Sequence, residues 1–223
     1  AVSKALLLPK LKKITLEKLN ELDVLRLFSE ELELSYVLGN MELSGLKVDR
    51  NKLKEVEKEL LLQQSQIEKK IYNLANCEFN INSVKQLGEV LFDKLGLPHG
   101  KKNKTGFSTN SEVLEKLAGK YEIASLVLEY RAITKIINTY VNGLFTLMDD
   151  HAFVHPLYNQ ALTVTGRLSS QEPNIQNIPI RTELGQVIRE VFTSRFTNGV
   201  IMSSDYSQIE LRVLAHIAQD EKM

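Results

Sequence analysis

Three stretches of the 223-residue sequence combine residue types and spacings that could do chemistry. The sharpest is Asp205-Tyr206-Ser207-Gln208-Ile209-Glu210-Leu211-Arg212, preceded by the apolar run from Gly199 to Ser204. That run reads as a buried strand, and Gln208 to Ala218 as a helix, so Asp205 stands at a strand exit. A carboxylate fixed there can point into a cleft, and it suits a hard cation such as Mg²⁺, which takes one or two carboxylates and keeps several waters. The same residues also read as plain helix architecture, with Asp205 near a helix N-terminus and Ser207 with Glu210 at capping-box spacing. The second stretch is Thr163-Val164-Thr165-Gly166-Arg167-Leu168-Ser169-Ser170, followed by Pro173-Asn174-Ile175-Gln176-Asn177-Ile178-Pro179. Its prolines and Gly166 argue for a shaped, irregular path. It reads either as a solvated turn or as a hydrogen-bonding platform for a polar polymer. Arg167, Arg181 and Arg189 add positive charge, with Glu172, Glu183 and Glu190 as the acids nearby. The third is the loop Gly100-Lys101-Lys102-Asn103-Lys104-Thr105-Gly106, which contains no acid. Alone it is a solvated basic run; beside a stripe carrying Arg131 and Lys135 it would track a phosphate backbone.

A mostly helical first part and an α+β second part must position these residues. Residues 1 to about 47 read as short helices. Asp49 is placed to cap a helix running to about Leu74, in which Val56, Leu60, Ile67, Ile71 and Leu74 keep helical spacing. Ser83 with Gln86 opens a segment from Val84 to Leu95, closed by Gly96 and Pro98. Thr109 with Glu112 repeats that spacing before Val113 to Ala118. A second long helix covers about Tyr121 to Leu147, with Ile123, Leu126, Val127, Tyr130, Ile133, Ile137, Tyr140, Val141 and Leu144 on its apolar side. Arg131, Lys135, Asn138 and Asn142 fall on the other side. Helical periodicity is lost from His151 onward.

Composition narrows the class. The chain is 43% hydrophobic, enough for a sizeable core in one or two domains. Its 28 basic and 28 acidic residues cancel, so any nucleic-acid surface must be a local patch. Cys77 is the single cysteine, which rules out an internal disulfide and a cysteine zinc site and fits a reducing compartment. It reads as a small buried hydrophobe. No apolar run approaches the roughly 20 residues that span a bilayer. Pro9 and charged residues follow the short Ala5-Leu6-Leu7-Leu8 run, which is not a signal-peptide layout. The expectation is a soluble, intracellular protein.

Taken together, the motifs resemble those of family A DNA polymerases. Thr165 to Ser170 with Pro173 to Pro179 is similar to that family's signature between thumb and palm, and Asp205 to Arg212, continued by Val213-Leu214-Ala215-His216, to its first palm motif. Ile180-Arg181-Thr182 and Gly185-Gln186-Val187-Ile188-Arg189 fit between them. Phe79-Asn80-Ile81-Asn82-Ser83, Leu91-Phe92, Leu95-Gly96-Leu97-Pro98 and Lys104-Thr105-Gly106-Phe107-Ser108-Thr109 resemble the thumb, and Tyr130-Arg131 with Thr139-Tyr140 its last helix. The resemblance covers roughly residues 28 to 223.

It implies an α+β fold, a helical thumb followed by part of the antiparallel-sheet palm of a right-hand polymerase. The implied division is 1–27 as the tail of an upstream exonuclease-like domain or linker, 28–47 as an N-terminal palm segment, 48–147 as thumb, 148–207 as palm, and 208–223 as the start of the fingers-connecting helix. Asp205 would be one of two aspartates holding two catalytic Mg²⁺ ions, and the Tyr206 carbonyl would add a ligand. Glu210 would lie beneath the incoming sugar and exclude a ribose 2′-hydroxyl. Arg181 would lie near the triphosphate or the template-primer. Arg167 and Gln176 would donate to minor-groove acceptors present at every base pair, testing pair geometry without reading sequence. Asn159, Gln160 and Asn174 would supplement them. Lys101, Lys102, Lys104, Thr105, Ser108, Arg131 and Lys135 would grip phosphates, with Asn82 and Ser83 beside them. The implied partners are primer-template DNA and deoxynucleoside triphosphates, with no membrane. The implied state is a monomer in the cytoplasm (nucleoid) or an organelle matrix.

Two departures stand out. Ile137 and Asn138 replace a lysine and a serine common in the family's last thumb helix. The family's nucleotide-binding fingers helix and second palm carboxylate have no counterpart in the 223 residues. The expectation is therefore a fragment that holds duplex weakly and polymerises nothing alone. A non-catalytic duplex-binding module is the second reading, and a helical scaffold for protein partners the third.

Overall fold

Two helices of twenty residues open the chain, α1 (Val2–Glu21) and α2 (Leu25–Ser44), where the pattern predicts short ones. Pro9 lies inside α1, with strong helix formers on both sides of it. The computed structural model describes residues 2–99, 106–180 and 182–220. Lys101, Lys102, Lys104, Thr105 and Arg181 lie outside the described residues.

After β1 (Leu46–Val48), Asp49 caps α3 (Arg50–Ala75) as the spacing predicts. Its carboxylate accepts the N–H groups of Asn51 and Lys52 at 3.0 Å each, satisfying two donors that the helix cannot. Val56, Leu60, Ile67 and Ile71 are buried, whereas Leu74 is exposed and Ala75 takes its place. Asn76, left-handed at φ 50°, closes the helix.

Ser83 accepts the Gln86 N–H at 3.4 Å and opens α4 (Val84–Gly88), which runs on into a π-helical turn, Glu89–Lys94. The capping box is only half made, because the Gln86 amide oxygen accepts the Asn80 N–H at 2.7 Å instead. Thr109 does not cap the next helix. Asn110 does, accepting the Val113 N–H at 3.0 Å at the head of α5 (Ser111–Ala118). Thr109 is drawn inward, 2% exposed, because Arg131 donates to both its carbonyl and its hydroxyl.

The second long helical run comprises α6 (Glu122–Ile136), a π-helical turn Ile137–Val141, and α7 (Asn142–Leu147). All nine residues of the predicted apolar stripe are buried. They join α3 and α5 in one core, to which Val154, Ile178, Ile188 and Val191 contribute from the later part of the chain.

Two small antiparallel sheets make the fold α+β. In the first, β2 (Phe153–Val154) pairs with β1, Leu46 opposite Val154. In the second, β3 (Leu157–Asn159) pairs with β4 (Ser169–Gln171), Tyr158 opposite Ser170. Thr182 caps α8 (Glu183–Arg189) by accepting the Gly185 N–H at 3.1 Å. A Cβ on Gly185 would overlap the Pro179 carbonyl oxygen, so the absence of a side chain lets α8 lie against that loop. The strand β5 (Phe192–Thr193) completes the order β2-β1-β5.

The chain divides into two units, Ala1–Phe192 and Thr193–Met223. The second unit holds two corrections. The run from Gly199 to Ser204 is not a buried strand: it forms no strand, and Val200, Ile201 and Met202 are 86%, 61% and 87% exposed. An apolar run becomes a strand only against a hydrogen-bonding neighbour and a second layer, and no described strand pairs with it. Ser207 does not cap α9 (Ile209–Ala218); Gln208 occupies that position in left-handed conformation, φ 49°, with no side-chain cap.

Candidate functional site

Asp205, Tyr206 and Glu210 line one depression of about 350 Å³ at the head of α9, with Gln208, Ile209 and Leu211. The left-handed Gln208 turns an exposed approach, residues 199–206, into the helix, which brings Glu210 of the first turn beside Asp205 and Tyr206. Asp205 stands three residues before the cap. The macrodipole fades beyond the terminal turn, so helix stabilisation is a weak reason for a carboxylate there. Its carboxylate and the Tyr206 carbonyl are hard oxygen donors, and Mg²⁺ completes a shell of one or two carboxylates with water and phosphate oxygens. The pair fits part of such a shell. Among the described residues no group of three or more His, Cys, Asp or Glu gathers to hold an ion, so further ligands would have to come from substrate, solvent or residues beyond these.

A second surface lies on the β3–β4 hairpin and the loop after it. Gly166 takes φ 73°, which favours glycine, in a turn closed by the Thr163 hydroxyl donating to the Arg167 carbonyl at 2.6 Å. Arg167 is exposed beside it. Downstream, the Asn174 side-chain oxygen accepts from the Ser170 hydroxyl at 3.3 Å and from the Asn177 N–H at 3.2 Å. The buried Ser170 hydroxyl in turn accepts the Gln176 N–H at 3.4 Å. The loop is thus folded on its own polar groups, and Gln176 is exposed. Of the hairpin residues singled out in the sequence, Asn159 lies in β3 opposite Ser169, half-buried. The Gln160 amide nitrogen is held elsewhere, donating to the carbonyl and carboxylate of Glu31 at 2.8 and 2.7 Å.

The third surface is a cleft of about 490 Å³ that brings Asn82, Ser108 and Arg131 together with Gly106, Phe107 and Asn110. The Asn82 side chain hydrogen-bonds the Tyr130 hydroxyl, whose pKa is raised, mainly by burial. Burial likewise lowers the pKa of the half-buried Arg131 guanidinium. Ser83 is engaged in capping α4. Lys135 is exposed one turn beyond Arg131 on α6, as are Asn138 and Asn142 farther along the run.

Sequence reasoning missed two supports of these surfaces. Tyr140 was legible as part of an apolar stripe and of the Thr139-Tyr140 pair, neither of which shows that its hydroxyl donates to the Asn177 carbonyl and ties the 174–179 loop to the π-helical turn. A buried tyrosine must place its polar end somewhere, and that was the available signal. The other is Glu42, whose carboxylate accepts the Tyr158 N–H at 2.7 Å and whose carbonyl is 2.7 Å from His155 Nδ1, which fastens α2 to the hairpin.

Comparison with known proteins adds sequence and fold kinship. The profile described as DNA polymerase family A matches residues 50–223. DNA polymerase I of Bacillus subtilis (strain 168) is 50% identical over 223 residues, 99% of this chain and 25% of that protein. DNA polymerase I of Geobacillus stearothermophilus is 53% identical over 206 residues, 92% of this chain and 23% of that protein. The chain therefore spans about a quarter of the length of these curated relatives. Among solved structures, the POL domain of Pol1 from M. smegmatis, in complex with DNA primer-template and dNTP, superposes with a TM-score of 0.80 at 37% identity, covering 92% of this chain and 36% of that one.

Proposed function

The chain belongs to DNA polymerase family A, and from that premise we propose that it is the duplex-holding part of an enzyme that extends a primer 3′ end with deoxynucleotides. Residues 48–147 are assigned to the thumb, 28–47 and 148–207 to the palm, and 208–223 to the start of the helix leading to the fingers. The observation that carries the reading is the 163–177 segment. Its Thr163, Ser170 and Asn174 side chains close its internal hydrogen bonds, while Arg167 and Gln176 stand exposed on it. Donors on a self-supported loop suit acceptors that recur at every base pair, the purine N3 and pyrimidine O2 of the minor groove.

In this reading Asn159 and Asn174 line the same surface, while Gln160 supports it through Glu31. Ser108, Asn82 and Lys135 are assigned to the phosphates of the duplex, as are Lys101, Lys102, Lys104 and Thr105, and Arg181 is assigned to the triphosphate or the template-primer. Asp205 and the Tyr206 carbonyl hold Mg²⁺ together with a second aspartate outside these 223 residues. Two ions, when bound, lower the pKa of the primer hydroxyl and neutralise charge on the triphosphate. Glu210 closes the space beneath the sugar.

Arg167→Ala, in a chimera with residues 1–223 in place of the matching quarter of a full-length relative, is expected to slow single-nucleotide extension about tenfold or more on every template sequence alike. A loss that depends on base identity would contradict geometry sensing. Residues 1–223 alone are expected to give no primer extension above background, because a single carboxylate does not hold two ions. Extension by the isolated chain would overturn the division of the metal site.

A further inference from the structure

Arg131 reaches back along the sequence to Thr109: Nη1 donates to the Thr109 carbonyl, and Nη2 to its hydroxyl at 3.1 Å. Thr109 lines the cleft but is only 2% exposed, so its two acceptors are taken up by the guanidinium rather than presented to solvent. Two nitrogens of a rigid planar fork on two acceptors of one residue fix both the position and the rotation of that residue. Its neighbour Asn110 is fastened to α5 through the Val113 N–H. The short segment carrying Ser108 is therefore pinned from α6 on one side and from α5 on the other. Long cationic side chains usually keep the charged head in water. Here the head is half-buried, and burial lowers its pKa.

We propose that Arg131 is a positioning residue of the duplex grip: through Thr109 it holds the Gly106–Asn110 segment so that Ser108 meets the phosphate backbone, and it does not itself pair with a phosphate. The inference rests on the thumb reading above, which supplies the duplex.

The test is equilibrium binding of residues 1–223 to a fluorescently labelled primer-template, titrated over salt, with thermal unfolding as a check on folding. A direct phosphate contact contributes about 0.9 to the slope of log K against log salt. Positioning contributes affinity with almost no slope. Arg131→Met is expected to weaken binding about tenfold and to move the slope by less than about 0.3. Adding Ser108→Ala to it should cost little more, because the contact is already lost. Arg131→Lys, which keeps the charge but cannot fork, should not restore affinity. Thr109→Val guards against a misfolded Arg131 variant. It removes a buried, uncharged acceptor and should still weaken binding about threefold at unchanged slope. A slope reduced by about 0.9 in Arg131→Met, full rescue by lysine and a silent Thr109→Val would overturn the proposal and make Arg131 a direct contact. Absence of duplex binding by the unsubstituted chain would overturn the thumb reading itself, a distinct result.

Discussion

Asp205→Ala in the chimera is expected to lower primer extension about a thousandfold while duplex affinity stays within about twofold. The size follows from the role: losing a carboxylate that places an ion at the developing charge forfeits several kcal/mol of transition-state stabilisation, and each ~1.4 kcal/mol is tenfold in rate. Asp205→Asn keeps the shape and removes the charge, and should be nearly as slow. The rival role, a favourable charge near the head of α9, predicts something different. It would change helix stability slightly and leave extension alone, and with the cap at Gln208 even that effect is small. A single-turnover rate within tenfold of the unsubstituted chimera would remove Asp205 from the metal site.

Glu210→Ala should have the next largest effect, on selectivity more than on speed. The residue lies in the first turn of α9 and shares its depression with Asp205 and Tyr206. A side chain filling the space beneath a sugar excludes an additional hydroxyl by overlap. Pocket exclusion of one small group is worth about 1–3 kcal/mol, so ribonucleotide insertion should rise roughly 10- to 200-fold relative to deoxynucleotide. The comparison is the ratio of kcat/KM for the two sugars in wild-type and variant chimeras. Unchanged discrimination would leave Glu210 as an ordinary first-turn acid.

What could be read from the sequence follows the range of the interaction involved. The cap at Asp49 and the buried stripe of α6 depend on residues within a few positions of one another, and both were legible. Thr109 and Asn110 are both competent caps. The choice between them is made by Arg131, twenty-two residues away, and spacing rules do not see it. Gln160 looks like any exposed amide until α2 brings Glu31 to it across 129 residues. The π-helical turns, one of which carries Tyr140, leave no compositional trace. The run from Gly199 to Ser204 fails for the opposite reason: its composition is that of a strand, but strand formation belongs to a pair of segments. Asp205, Tyr206 and Glu210 were singled out together because their spacing is local, and the structure sets them around one depression.

In the proposed reading, residues 1–223 hold duplex DNA by its backbone and minor groove, without reading its sequence. Fluorescence anisotropy of the chain with primer-template duplexes of unrelated base sequence, over a range of salt concentrations, tests it most directly. Weak binding that falls steeply as salt rises is expected, since phosphate contacts release counterions, with affinities equal within about threefold across sequences. No binding even at low salt, or a preference of tenfold or more for one sequence, would contradict it.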